Sequence, residues 1–389
     1  MKILILSFYY YPDLCAGSFR CTALVEQLRR SVDSDVEIEV ITTRPNRYAS
    51  FQVDAVEFEK KEGFSIRRIA LPSHRSGMLD QAKAFFHFAK EVNRLVKQRD
   101  YALVFATSSR LMTAVLGAWV ARKKKAILYL DIRDLFVDTL NEVLPVQIRF
   151  WSKPVFSFLE RWTFIQAKRI NFVSKGFFEY FSARYSCANV SWFTNGIDTA
   201  FLGKQIAISP SQHNNSVTIM YAGNIGEGQG LHSIVPFLAK ELEGRAHFKV
   251  IGDGGRIAPL LAALKENHCS CVEVLPPMNR DQLIDEYQKA DILFLHLNDY
   301  DAFRKVLPSK LFEYAAMGKP ILAGVSGYCA DFIKAEIRNA AVFKPCNVTE
   351  AVMAFSTLNL ETQPRNSFIK KYARAPIMKA MVDDILSCL

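Results

Sequence analysis

Along the whole chain, short apolar runs alternate with longer stretches in which apolar positions recur every three or four residues. In the first half the runs are KILILSFYY, VEIEVIT, FSIRRIAL, ALVFATS, AILYLDI and RINFVS; in the second they are VTIMYAG, HFKVIG, VEVLPP, ILFLHL, PILAG and AAVFKP. Such runs, separated by helical segments, predict largely parallel strands covered by helices on both faces. Two doubly wound, Rossmann-like α/β domains follow. The stretch Asn195 to Ser216 carries Ser, Asn and Pro without an apolar period and reads as a linker. The predicted domains cover residues 1–200 and 201–365, and the amphipathic segment 366–389 is expected to be helical and able to pack back on the first domain. In open sheets of this kind ligands sit beyond the carboxyl ends of the strands, which puts the expected site in a cleft between the two domains.

Composition narrows the class. The chain has 389 residues, half of them apolar and 23% charged, enough for two full cores and unlike a disordered chain. No run approaches the roughly 20 apolar residues of a membrane-spanning helix; the best candidate, Leu111 to Ala121, ends in Arg-Lys-Lys-Lys. MKILILSFYYYP lacks a small-residue cleavage site and reads as a buried first strand rather than a signal peptide, so a cytoplasmic location is expected. The eight cysteines include no CxxC pair, which argues against a disulfide framework or a zinc ribbon. His268-Cys269-Ser270-Cys271 reads as a loop, since a closed zinc site needs four ligands.

The net charge of +10 belongs to the first half: residues 1–200 hold 29 Lys and Arg against 20 Asp and Glu (+9), and residues 201–389 hold 20 against 19 (+1). This asymmetry suggests a polyanionic partner. Segments 81–99, 118–125 and 149–169 mix the charge with aromatics, a pattern suited to an anionic membrane surface rather than nucleic acid. A solvated basic face over core aromatics is the plain alternative.

Two glycine-rich strand-to-helix turns, Gly223 to Leu231 and Gly252 to Gly255, offer backbone N–H groups to a phosphate. Neither matches GxxxxGK(S/T) or the full GxGxxG spacing, which argues against an NTPase or a dinucleotide site. In VLPSKLFEYAAMGKPILA, Pro308 suits a first helical position and Gly318-Lys319-Pro320 an exit, so a helix is predicted from Pro308 to Met317. Ser309, Lys310 and Glu313 then share one stripe, while Leu311 and Phe312 face a core. The stripe offers donors for a diphosphate and a carboxylate for a ribose diol; a surface Lys–Glu pair is the alternative for the helix taken alone.

The succession YAGNIGEGQGL, VIGDGG, LPPMNRDQLIDEYQKADILFLHL and PSKLFEYAAMGKPILA resembles the donor domain of retaining GT-B glycosyltransferases of family 4 (glycosyl transferases group 1). ILSFYYYPDLCAGSFRCTALVEQL, DIRDLFVDTL and FVSKGFFEYF with FTNGID resemble that family's acceptor domain, in the fucosamine-type branch of surface-polysaccharide assembly. The resemblance implies that Glu313 holds the ribose hydroxyls and that Ser309, Lys310 and the adjoining Leu311 meet the diphosphate with the backbone at Gly223 and Asn224. It places Asp253, Pro277 and Met278 at the nucleoside. It brings Gly17 near the donor and Arg20 to a phosphate.

Departures are visible. Lys305 stands where the family commonly has a second glutamate, Asn224 and Gln229 replace its usual loop cations, and Asp131-Ile132-Arg133-Asp134 replaces its histidine region. Asp134, with Arg133 beside it, is the candidate for the acceptor hydroxyl; a purely structural use of these strand-end residues is the alternative. The implied reaction is retaining transfer from a nucleotide-diphosphate sugar, UDP-linked by preference, to a lipid-linked saccharide at the inner membrane face. It needs no enzymic nucleophile, no cofactor and no metal. An epimerase of the same fold and a non-catalytic basic module are the other classes.

Overall fold

The computed structural model describes residues 1–46, 54–72, 78–108, 111–143, 146–185, 189–202 and 216–389. They form two compact units, residues 1–194 with 375–389, and residues 195–374.

The first unit holds β1 (Lys2–Leu6), β2 (Glu37–Thr43), β3 (Phe58–Lys61), β4 (Phe64–Ile69), β5 (Leu103–Thr107), β6 (Ile127–Ile132), β7 (Arg169–Phe172) and β8 (Asn189–Ser191). They make one eight-stranded sheet in the order β3-β4-β2-β1-β5-β6-β7-β8. Pairing is parallel except for β3 against β4. The apolar runs predicted six of these strands. The edge strand β3 reads FEKK, too polar for a buried-strand pattern, and exists because Gly63, at φ +77°, turns the chain back onto β4. One core packs Ile3, Ile5, Val40 and Phe105 against the helix Ala16–Ser31 and against Met378, Met381, Val382 and Ile385 of the C-terminal helix.

The second unit holds β9 (Val217–Asn224), β10 (Ala246–Asp253), β11 (Val272–Leu275), β12 (Ile292–His296), β13 (Ile321–Gly324) and β14 (Ala340–Phe343). Their order is β11-β10-β9-β12-β13-β14, and every pair is parallel. Each follows one of the six apolar runs. Two cores, one on each face, enclose this sheet.

The unit boundaries fall at 194/195 and 374/375 rather than at 200/201 and 365/366. Residues 195–202 are not linker. Ile197 makes a parallel bridge with Ala373, Arg374 donates to Asp198 at 2.7 Å and to the Gly196 carbonyl at 2.9 Å, and Phe201 lies in the core. The remainder of the predicted linker, 203–215, lies outside the described residues.

Candidate functional site

The ends of β9 and β10 are built for close approach. Gly223, at φ +148°, and Gly252, at φ +152°, are register partners. A Cβ on Gly252 would lie 1.8 Å from the Gly223 carbonyl oxygen, so the two turns leave no room for side chains. A Cβ on Gly223 would fall 2.7 Å from Lys310 Cε and 2.8 Å from its Nζ. The lysine ammonium therefore lies directly over the first glycine turn. Its other neighbours are the ring faces of Tyr221 and Tyr314, with centroids 5.8 and 5.6 Å from Nζ.

Among the described residues Lys310 has no hydrogen-bond or ion-pair partner. Burial pushes its pKa down, and nearby Glu313 pulls it back up. An unpaired ammonium at the carboxyl end of a parallel sheet is a costly arrangement that an anion relieves.

The helix that carries Lys310 runs over Lys310–Ala316, shorter than the Pro308 to Met317 predicted. Ser309 already has helical angles, but the first bonds reach back only three residues, Leu311 N to Pro308 O at 3.2 Å and Phe312 N to Ser309 O at 3.1 Å. Two turns of helix carry little dipole; the charge at this site comes from Lys310 itself. Three groups anchor the helix. Leu311, Phe312, Tyr314, Ala315 and Ala316 are buried; Tyr314 Oη accepts the Ala222 N–H at 3.2 Å, one residue before Gly223; and buried Arg365 donates to the carbonyls of Ala315 at 3.2 Å and Lys319 at 3.0 Å at the exit. The expectation that Leu311 contacts a donor is corrected: its side chain is fully buried in the core and its N–H is spent on Pro308.

One turn beyond Lys310, Glu313 lies 3.9 Å from Arg280, whose guanidinium pairs with Asp198 at 3.1 Å and stacks 5.1 Å from the Phe201 ring. Asp198 is also held by Arg374 at 2.7 Å. Met278, half-buried against the same core, precedes Arg280 by two residues, with half-buried Pro277 before it. Arg280 was not singled out from the sequence, because its neighbours there, Asn279 and Asp281, do not show that Glu313 lies across from it.

The loop after Gly223 is internally satisfied. Asn224 Nδ2 donates to Gln229 Oε1 at 2.8 Å, and Tyr221 Oη donates to the Asn224 carbonyl at 2.7 Å. Glu227 binds Arg256 and accepts from Tyr300 at 2.7 Å; burial raises its pKa, but these two bonds outweigh it and leave the carboxyl below its ordinary value. Fully buried His296, at the end of β12, sits 2.7 Å from the Gln229 carbonyl through Nδ1 and accepts the Cys346 N–H at 3.0 Å through Nε2. A carbonyl can only accept and an amide only donate, so the ring is neutral with its proton on Nδ1. Burial pushes its pKa down to about 4. Asp253 ends β10 and accepts the Gly254 N–H at 2.7 Å. Lys305 ends the turn Asp301–Lys305 and is half-buried.

The remaining predicted residues belong to the first unit. Gly17 is buried in the first turn of the helix Ala16–Ser31. Arg20 is not available to a phosphate. It is 3% exposed, pairs bidentately with Asp131 at 2.9 and 3.0 Å, and donates to the carbonyls of Thr194 and Phe193 at 2.8 Å each. Asn171 adds a third bond to Asp131 at 2.7 Å. Arg20 thus closes a buried network that the sequence could not reveal, since its partners lie more than 110 positions away. Asp134 is exposed just past β6, and half-buried Arg133 donates its N–H to Ser108 Oγ at 3.2 Å. Arg133 Nε is buried with no hydrogen-bond partner among the described residues.

Two family models divide the chain between them: "Glycosyl transferase 4-like domain" matches residues 18–191 and "Glycosyl transferases group 1" matches residues 204–375. It carries the two domains of a family 4-type GT-B glycosyltransferase. Solved structures share the GT-B fold along its full length. Anabaena HepE in complex with UDP-glucose superposes with a TM-score of 0.71 at 14% identity, covering 100% of both chains. The lipopolysaccharide outer core galactosyltransferase WaaB gives 0.60 at 14%, again covering 100% of both. Sucrose-phosphate synthase from Thermosynechococcus elongatus gives 0.66 at 11%, covering 100% of this chain and 94% of that one. No curated protein matches by sequence. No described helix of this GT-B chain is long and apolar enough to cross a membrane.

Proposed function

We propose that this glycosyltransferase binds a UDP-sugar at the ends of β9 and β10 and transfers the sugar, with retained configuration, to a hydroxyl of a lipid-linked saccharide in polysaccharide or lipopolysaccharide assembly. The observation that carries the reading is Lys310: a half-buried ammonium without a partner among the described residues, pressed on the Gly223 turn and one helical turn from Glu313. UDP is favoured because Anabaena HepE holds UDP-glucose, and a lipopolysaccharide acceptor because WaaB is described as an outer-core galactosyltransferase.

In this reading Lys310, Ser309 and the amides around Gly223 and Asn224 hold the diphosphate. Glu313 accepts from the ribose hydroxyls, and Pro277, Met278 and Asp253 border the nucleoside. As the anomeric carbon–oxygen bond breaks, charge builds on the diphosphate, and Lys310 stabilises that charge more than it stabilises the bound donor. The acceptor oxygen bonds to the anomeric carbon from the face the diphosphate leaves, and its proton passes to a phosphate oxygen. Arg133 and Asp134 in the first unit orient the acceptor. Lys305, in place of a carboxylate, tunes the choice of donor sugar.

The test is turnover of several UDP- and GDP-sugars with a lipid-linked acceptor. Lys310→Ala is expected to lower kcat about 10²- to 10³-fold, the usual cost of one donor to a developing oxyanion. Unchanged kcat, or conversion of the donor without an acceptor, would end the proposal. Activity is expected to persist in EDTA.

A further inference from the structure

The helix Val146–Gln166 in the first unit has two apolar faces, and its own unit uses only one. Inward, Glu160, Thr163 and Phe164 are buried; Glu160 accepts from Tyr180 and Tyr185 at 2.7 Å each, and Phe156 meets Phe136 edge-on at 5.5 Å. Outward, Phe150 is 70% exposed, Trp151 76%, Val155 57%, Phe158 68% and Ile165 66%. At about 100° per residue, Trp151, Val155, Phe158, Trp162 and Ile165 fall within an arc of about 80°, over a length of about 21 Å. Isolated exposed apolar residues are ordinary on a surface, but a continuous stripe of large rings is not.

The stripe extends sideways. The helix Leu111–Lys124 packs beside it and exposes Trp119, Arg122 and Lys123. The helix Met78–Val96 comes next, joined through Trp119 Nε1 to Asn93 at 3.2 Å, and exposes Phe86, Lys83 and Lys90. On the helix Val146–Gln166 exposed Arg161 flanks the stripe, exposed Lys153 lies on the opposite side, and the sole acid, Glu160, points into the core.

We propose that this face docks on an anionic lipid bilayer, with Trp151, Val155, Phe158 and Ile165 entering the headgroup–acyl boundary and Arg161, with Arg122 and Lys123 of the neighbouring helix, meeting lipid phosphates. Charge decides the occupant. A second copy would set basic side chains against basic side chains, whereas an anionic headgroup layer supplies the opposite sign, and its apolar interior takes the rings. The inference rests on the transfer reading for its purpose, which is to present a lipid-linked acceptor; the surface itself lies wholly within the first unit.

The experiment is flotation of the full chain with vesicles of phosphatidylglycerol and phosphatidylethanolamine, or of phosphatidylcholine alone, at low and physiological salt. Wild type is expected to float with the anionic vesicles. Trp151→Ser with Phe158→Ser should lower the partition coefficient about tenfold or more at both salt levels, and Arg122→Glu with Arg161→Glu should do so for the anionic vesicles alone. Both pairs are solvent-exposed, and unchanged melting temperature confirms their folding. A wild type that fails to float, or an aromatic pair that floats as well as wild type, overturns the proposal. So does a dimer that the aromatic pair dissolves, because a second copy then covers the stripe. UDP-glucose binding, measured in parallel, keeps the two readings apart: flotation without any nucleotide-sugar binding supports the surface and sinks the transfer reading.

Discussion

His296 ties the first glycine loop to the body of its sheet, and its titration should show that tie directly. The neutral ring holds the Gln229 carbonyl with Nδ1–H and the Cys346 N–H with Nε2. Protonation would place a second N–H against the Cys346 N–H and put a charge where water does not reach. The folded pKa of about 4, against 6.5 for the free side chain, follows from that burial. Between these values the unfolded chain binds a proton that the folded chain refuses, so stability rises with pH through this window and is lost as pH falls through it. The full shift corresponds to about 3 kcal/mol, and about 2 kcal/mol of it is gone by pH 5. The assay is urea denaturation of wild type and His296→Gln at pH 7.5 and pH 5.0, followed by a probe in the second unit. The stability gap between the two proteins should shrink by about 2 kcal/mol at the lower pH. A gap that stays constant would mean that His296 titrates in the fold as it does in the unfolded chain, and a gap that widens that it is already protonated in the fold; either result would make the hydrogen-bond assignment wrong. Local amide exchange gives a second reading, because Cys346 and the Gly226–Gly230 loop should open first as the pH drops.

If Glu313 reads the ribose, wild type should bind UDP more tightly than 2′-deoxy-UDP, and Glu313→Gln should erase most of the difference, about 1.5 to 3 kcal/mol for a hydrogen bond to a charged group; calorimetric titration of both nucleotides checks this. Arg280→Gln removes the cation 3.9 Å from Glu313 and should reduce the same discrimination while leaving affinity for inorganic diphosphate unchanged; weaker diphosphate binding would assign Arg280 to the phosphates instead. Arg20→Gln should destabilise the first unit by about 3 to 5 kcal/mol, the usual cost of leaving a buried charge unpaired, without raising KM for the donor in the folded fraction. A raised KM with an unchanged melting temperature would return Arg20 to the phosphate role that its position in the sequence suggested.

The order of elements was legible in the chain because it rests on local periodicity. The six apolar runs of the second half are the six strands of its sheet, since a strand buried on both faces must be apolar at nearly every position. The edge strand β3 escaped notice for the converse reason: FEKK lies half in water and keeps no such pattern. The stripe of Ser309, Lys310 and Glu313 was also legible, because spacing along one helix depends on neighbours in sequence alone. Tertiary structure decided which charges remain for a ligand. Arg20 and Lys310 look equally available in the sequence, yet Arg20 is consumed by Asp131, Thr194 and Phe193 while Lys310 rests on a glycine turn with no partner among the described residues. Arg365, Arg280 and His296, which hold the site's helix, its carboxylate and its loop, gave no local signal, because each acts on groups far along the chain: Arg365 on Asn339, 26 positions away, and Ala315, 50 away, and His296 on Gln229, 67 away, while Arg280 reaches Asp198. Hydrogen-bond satisfaction is a property of proximity in space, and a parallel sheet brings together strand ends that the chain separates by a helix or more.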